Sequence, residues 1–308
     1  MSWGRTHTDI WQVGILHAPI ARLLESVSPG EIAITWLPTQ RDFCFLADPF
    51  GVWRGEHLHV FVEAYDYRDK HGVIRRYTYD RKLTLCEKSP ALEAKHHLSY
   101  PFIIEDDGEV FMLPEAHRSG KLTLYRAREF PNAWERVCDI LDLPAIDASV
   151  IRHGEMWWMF YALPGPDDRA MCELHVASAP HLTGPWTPHA LNPVRSSLES
   201  SRMGGAPFFT DGKLYLPMQD CTQTYGGAVT LLRVDDLTPQ WNASAVRTIT
   251  PTAFSTAFTD GVHTLSACGE VTLLDVKRIE RSPRRLAIDL QRRWRRMTGQ
   301  APERDENF

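Results

Sequence analysis

No uninterrupted apolar run in these 308 residues approaches 18, so the chain encodes no helix long enough to cross a bilayer. Cysteine is sparse and scattered. Cys44, Cys86, Cys138, Cys172, Cys221 and Cys268 form no C-x-x-C and no close pair, which removes a thiolate metal framework. The first residues, MSWGRTHTDIWQVGIL, have no basic stretch leading into a long apolar one, so no export signal is expected. Free thiols without such a signal point to the cytoplasm. There is no dense Asp-x-Asp loop of the kind that binds calcium, and SRMGGAPF lacks the strand-to-helix setting of a nucleotide-binding glycine loop. The expectation is therefore no metal and no cofactor.

Charge is also unevenly spread. The net charge is −5, but residues 277–296 hold nine basic and two acidic side chains, leaving −12 for the remainder. An acidic body argues against a nucleic-acid-binding propeller and makes the basic segment a separate feature. Apolar residues at 43% and charged residues at 24% are ordinary for a folded domain, so composition alone selects no class.

What is present is a repeat. DPFGVWRGEHLHVFVE (48–63), YPFIIEDDGEVFMLPE (100–115), DASVIRHGEMWWMFYA (147–162), GAPFFTDGKLYLPMQD (205–220) and STAFTDGVHTLSACGE (255–270) share one plan. Each is an apolar run, a Gly or Asp-Gly turn, and a second apolar or aromatic run. Their starts lie 52, 47, 58 and 50 residues apart. A unit of this length with regular turn signals reads as one four-stranded blade, and five units as an all-β, five-bladed β-propeller over residues 1–280. DIWQVGIL and IAITWLP precede the first copy and VTLLDVKRI follows the last. An N-terminal strand is expected to complete the last blade and close the ring, which removes an exposed edge.

The final segment differs in kind. Ser282 and Pro283 suit a helix start, and Gly299 a stop. Leu286, Leu290, Trp294 and Met297 fall at i, i+4, i+8 and i+11, with Arg284, Arg285, Arg292, Arg293, Arg295 and Arg296 around them. This predicts a basic amphipathic helix over 281–299 and a frayed tail over 300–308. Such a helix suits a membrane surface or a membrane glycosyltransferase, reached through residues 283–297. Packing on the propeller or on a partner protein is the alternative. If it binds lipid, the protein sits peripherally at the inner face of the membrane.

Aligning the copies places chemistry at one end of the ring. The first column holds Asp48, Tyr100, Asp147, Gly205 and Ser255; the sixteenth holds Glu63, Glu115, Ala162, Asp220 and Glu270. In an antiparallel hairpin these columns share an end, opposite the turns at Gly55, Gly108, Gly154, Gly212 and Gly261. One mouth of the channel should gather Asp48, Glu63, Glu115, Asp147 and Asp220, with Glu270 beside them. His97, Ser99, Arg202, Gln219 and Tyr225 belong to the same face and join Glu63 and Tyr100 as candidate substrate contacts. Crowded carboxylates raise one another's pKa, and a carboxyl pair is the working part of glycosyl hydrolysis.

FLADPF, HHLSYPFI, MLPEA, LYRAREFPNAWE, DASVI, NPV and GGAPFFTDGKLYLPMQDCTQTYGGAVTLL resemble, in order, the N-terminal propeller of the plant glucosamine inositolphosphorylceramide transferase family, which has bacterial stand-alone relatives. The resemblance covers roughly residues 40–280. It implies a carbohydrate or glycolipid substrate. In the plant family transferase activity is associated with a separate C-terminal domain. More distantly, ADP in the first copy and IDAS in the third resemble the inverting arabinanase and xylosidase propellers. That resemblance implies a base role for Asp48 and a pKa-tuning role for Asp147. The acid of that group begins the fourth blade, where this chain has MGGAPF. Glu115, with Asp220 or Glu63 as alternates, would have to replace it. The expected function is glycosyl transfer in exopolysaccharide or glycolipid assembly. The alternatives are an inverting-type glycoside hydrolase and a non-catalytic glycan-binding module.

Overall fold

The computed structural model describes residues 7–298. Five antiparallel sheets form the ring of a five-bladed propeller. Blade one runs Cys44–Arg54, His57–Asp66, His71–Tyr79, Leu85–Leu92, from inside to outside. Blade two runs Ser99–Asp106, Glu109–Glu115, Leu122–Glu129, Ala133–Leu141. Blade three has Ile146–His153, Met156–Ala162 and Glu173–Ala179, with two short pieces, Thr187–Pro188 and Arg195–Ser196, on its edge. Blade four begins with a broken inner strand, Arg202–Met203 and Phe208–Thr210, and continues through Lys213–Asp220, Ala228–Asp236 and Asn242–Ile249.

Blade five closes the ring. Leu265–Cys268 is its inner strand and Val271–Arg281 its second, while His7–Leu16 and Ile34–Trp36 come from the start of the chain. His7–Leu16 pairs along its whole length with Val271–Arg281, from His7↔Arg281 to Leu16↔Thr272. This pairing satisfies the edge that Val271–Arg281 would otherwise expose.

The second strands are buried on both faces because each blade is sandwiched by its neighbours. Hence Val60, Phe61 and Val62 form a continuous apolar run rather than an alternating one. Large rings fill the wedge between blades: Phe50 packs edge-on to Tyr100 at 4.6 Å, and Phe61 to Trp134 at 5.5 Å. Truncating a fully buried ring such as Phe61 to Ala costs about 3–5 kcal/mol.

The first four hairpins turn where the repeat places them. Gly55, Asp107–Gly108, Gly154 and Asp211–Gly212 all have positive φ, as tight hairpin turns require. The fifth does not. Its turn is at Gly269 (φ 61°), not at Asp260–Gly261. Asp260 N–H donates to Lys277 O and Lys277 N–H to Gly261 O, so this Asp-Gly pair continues along the strand Val271–Arg281. A Cβ on Gly261 would lie 2.3 Å from Gly226 O, so glycine there serves close approach, not a turn. Glu270 is accordingly an exposed turn residue at the far end from the mouth, and Ser255 lies outside the hairpin.

The helix spans Arg284–Thr298. The proposed stop at Gly299, the 300–308 tail and the side chain of Arg296 lie outside what is described. Among the described residues no helix is long and apolar enough to cross a membrane.

Candidate functional site

The inner strands of blades one to three each carry an irregularity at the same place. Pairing skips between Ala47 and Phe50, between Ser99 and Phe102, and between Ile146 and Ser149. At each skip one non-glycine residue adopts a left-handed backbone: Asp48 (φ 52°), Tyr100 (φ 45°) and Asp147 (φ 48°). Such bulges re-aim a side chain and store local strain that the surrounding sheet must hold. In blade four the equivalent position is Gly205 (φ 131°), where a Cβ would lie 1.9 Å from Leu265 O.

Tyr100 shows what this re-aiming achieves. Its ring is fully buried, and its hydroxyl lies 2.8 Å from Ser149 Oγ of blade three and accepts from Gly205 N–H of blade four at 2.9 Å. It bridges three blades and forms a floor beneath the mouth.

Above that floor two buried networks meet. In the first, Asp48 Oδ1 lies 3.2 Å from His263 Nε2 and accepts from Thr264 Oγ1 at 3.2 Å, while Oδ2 accepts from Tyr100 N–H at 3.1 Å. His263 Nδ1 is 2.7 Å from Asp275 Oδ1. Asp275 also accepts the backbone N–H groups of Asp48, His263 and Thr264. Trp11 stacks on the imidazole at 3.8 Å between centroids. Burial alone would lower the His263 pKa, but the carboxylates of Asp275 and Asp48 outweigh it and hold the imidazole above its ordinary value. Burial raises Asp48, which His263 opposes and Asp275 reinforces.

In the second network Asp147 Oδ2 accepts from Arg202 Nε at 2.7 Å and Gln219 Nε2 at 3.0 Å. Asp147 N–H points at Glu115 Oε2, 3.4 Å away, and His117 Nδ1 lies 2.6 Å from Glu115 Oε1. Burial pushes the Asp147 carboxyl well up, against the pull of Arg202. Burial works the same way on Glu115, yet hydrogen bonds from His117 and Asp147, with the charge of Arg202, bring it down to about 2. Arg202 also sits 5.1 Å from the Tyr225 ring centroid. The loop bearing Tyr225 is tied down by Lys277, whose ammonium donates to Tyr225 O and to Thr224 Oγ1.

Glu63 lies between blades one and two. It occupies in blade one the place Glu115 occupies in blade two, opposite the residue before the bulge. Burial drives its carboxyl well above the carboxylate range, and Asp48, Glu115 and Asp147 push the same way. Its ionic neighbour is His97, with Nε2 at 3.4 Å. His97 Nδ1 accepts from Gly72 N–H at 2.8 Å, so the ring proton is on Nε2, facing Glu63. Burial lowers the His97 pKa to about 4.

Thus Asp48, Glu63, Glu115, Asp147, Arg202, Gln219, His97 and Tyr225 come together around one mouth, with Ser99 buried opposite Glu115. Asp220 does not enter either network: its carboxylate accepts from the backbone and hydroxyl of Thr222 in the adjoining loop. Strand alternation sends Gln219 inward and Asp220 away. His263, Thr264, Asp275 and Trp11 were not among the sequence candidates. The one visible signal was Asp275, a lone acid inside the apolar run VTLLDVKRI. Asp48, His263 and Asp275 offer ligand atoms within 4.8 Å of one another and are the described group that could hold a metal. Both imidazole nitrogens are already engaged by carboxylates, so a cation would have to displace the His263 proton.

Residues 36–250 match the sequence family described as glucosamine inositolphosphorylceramide transferase 1, N-terminal. The chain is 35% identical over 202 residues to glucosamine inositolphosphorylceramide transferase 1 of Oryza sativa subsp. indica, covering 64% of this chain and 27% of that protein. It is 33% identical over 202 residues to the protein of the same name from Arabidopsis thaliana, covering 64% and 26%. The chain therefore spans about a quarter of the length of these curated relatives. Among solved structures, the catalytic domain of a GH62 α-L-arabinofuranosidase from Coprinopsis cinerea superposes with a TM-score of 0.60 at 10% identity, over 87% of this chain and 96% of that one. At that identity the likeness is one of fold.

Proposed function

Because the chain belongs to the glucosamine inositolphosphorylceramide transferase 1 N-terminal family, we propose that its channel mouth is a glycan site that transfers a glycosyl group to a polysaccharide or glycolipid acceptor. One observation carries this reading. Glu63 and Glu115 hold equivalent positions in adjacent blades, yet burial and neighbouring carboxylates push Glu63 up while hydrogen bonds from His117 and Asp147 pull Glu115 down. Two carboxyl groups with pKa values pushed apart supply an acid and an anion at one pH.

In this chemistry Glu63, rather than Glu115, holds the proton. Glu115 near 2 has none to give at neutral pH. Asp48 takes the proton of the acceptor hydroxyl as that oxygen bonds to the anomeric carbon. The bond from that carbon to the donor oxygen breaks, and the departing oxygen receives the Glu63 proton. His263, held between Asp48 and Asp275, positions Asp48 and balances its charge. Arg202 and Gln219 fix Asp147 beside Glu115, which remains anionic. A fixed anion at the mouth complements the ammonium of a glucosamine unit, the sugar in the relatives' name. With water in place of the acceptor the same groups would hydrolyse the bond.

The test offers the full chain a panel of glycosyl donors with glycolipid and polysaccharide acceptors, using glucosamine and N-acetylglucosamine versions of each. Glu63→Gln and Asp48→Asn should each lower kcat by about 10²–10⁴-fold while the protein stays folded. Full turnover by Glu63→Gln would sink the acid assignment. A second reading, glycan recognition without chemistry, is favoured by the inner strand of blade four, which starts Arg202-Met203-Gly204-Gly205 with no carboxylate where the inner strands of blades one and three have Asp48 and Asp147. Its signature is saturable sugar binding with no turnover across the panel.

A further inference from the structure

The C-terminal helix is seated the opposite way from an ordinary surface helix. Its polar face packs inward. Arg285 is 6% exposed, and its guanidinium lies 4.3 Å from the centre of the Tyr67 ring. Arg292 reaches Asp289 at 2.8 Å and donates to Tyr67 O at 3.4 Å, and Arg285 approaches Asp289 at 3.6 Å. Arg285, Asp289 and Arg292 fall at i, i+4 and i+7, one face of the helix. The apolar stripe points out: Leu286 is 40% exposed, Leu290 65%, Trp294 54% and Met297 84%. A helix in water normally buries its apolar stripe and exposes its charges. Here two arginines and one aspartate hold the helix down and leave four large apolar side chains in one exposed row.

We propose that this row is the docking surface for a bilayer bearing anionic headgroups. Charge complementarity selects that occupant. Of the arginines in Arg284–Thr298, Arg285 and Arg292 are turned inward with the one acid, Asp289, while Arg284 is exposed and Arg293 is exposed next to the stripe. Apolar side chains with Trp beside basic residues insert at the headgroup boundary, where anionic lipid attracts the arginines. A second copy of this helix would bring like charges together instead.

The helix also sits beside the mouth. His97 next to Glu63 meets Tyr65 edge-on at 5.8 Å, Tyr65 meets Tyr67 at 5.0 Å, and Tyr67 carries Arg285. A bilayer held by the stripe would bring headgroup-level glycans near the carboxylates. This narrows the acceptor to a lipid-linked glycan, and that step alone rests on the proposed glycan chemistry.

The experiment is flotation of the full chain with phosphatidylcholine vesicles, with and without phosphatidylglycerol. The wild type should float with the anionic vesicles, and added salt should release part of it. Leu290→Glu with Trp294→Glu changes only outward-facing residues. This variant should keep its thermal midpoint and lose partitioning by about tenfold or more. Arg293→Glu should weaken binding to anionic vesicles more than to neutral ones. Wild-type partitioning by the double variant overturns the proposal, as does failure of the wild type to float. Reversible self-association that buries the stripe and is lost in the double variant would make a second copy the occupant instead. Flotation reads no turnover, so an inert mouth would leave this result standing, and turnover on soluble acceptors would survive its failure.

Discussion

The two sides of the mouth neutralise buried carboxylates with different cations. On the blade-five side His263 lies between Asp48 and Asp275; on the blade-four side Arg202 lies against Asp147, with Glu115 next to it. Both solve the same electrostatic problem, because carboxylates at 0–6% exposure need a partner. The solutions differ in what they allow. A guanidinium stays charged at any working pH, so the Arg202 side is fixed. An imidazole is a titratable cation, and the His263 side depends on the carboxylates of Asp275 and Asp48, which favour its charged form. The comparison separates a side whose cation is permanent from a side whose cation depends on its carboxylate neighbours.

The comparison can be broken by removing the buried partners one at a time. Asp275→Ala should have the largest effect. It strips the Nδ1 partner from His263 and the acceptor from three backbone N–H groups, at a fully buried position. A loss of about 3–5 kcal/mol in urea denaturation is expected; less than about 1 kcal/mol would show that the blade-five network is not closed. Arg202→Met should cost about 2–4 kcal/mol at pH 7. Its Asp147, raised already by burial, would then take up a proton more readily, so the deficit should shrink as the pH is lowered toward 5. A deficit independent of pH would mean that Asp147 is not the group left uncompensated.

Glu63→Gln should have the smallest effect and the opposite sign. The folded-state pKa of Glu63 is raised, so the folded chain holds a proton that the unfolded chain releases above about 4.5. Stability from this group is present below that value and is lost as pH rises toward the folded pKa. Glutamine removes the loss, so the variant should gain about 0.5–2 kcal/mol at pH 8 and converge with the wild type near pH 4. Thermal midpoints across that range measure it. A destabilised variant at pH 8 would show that Glu63 is a satisfied anion rather than a held proton.

Much of the ring was legible because its information is local. Four of the five turns follow from Gly and Asp-Gly pairs between apolar runs, and ring closure followed from spare strands at the two ends of the repeat. The fifth hairpin was misframed because Asp260-Gly261 has the composition of a turn. Its role is set by contact with Gly226 and Lys277, residues distant in the chain. That shift hid His263 and Asp275, which join the mouth only once the correct strands are paired. Tyr100 reads as a mouth aromatic in sequence, and the bulge beside it turns it down into the floor. The helix stripe was visible at its i, i+4 spacing, but nothing local said that Arg285 and Arg292 would find Tyr67 and leave the stripe uncovered.

Periodicity and turn chemistry determined that this chain makes a ring of five blades and that Asp48, Glu63, Glu115 and Asp147 lie at one end of the first three hairpins, because strand pairing and turns depend on neighbours a few residues apart. Tertiary structure decided in which direction each carboxyl's pKa moves. A pKa responds to burial and to charges within several ångströms, and here some of those charges arrive from other blades: Arg202 of blade four helps hold Glu115 low, while Asp48, Glu115 and Asp147 add to the burial that raises Glu63.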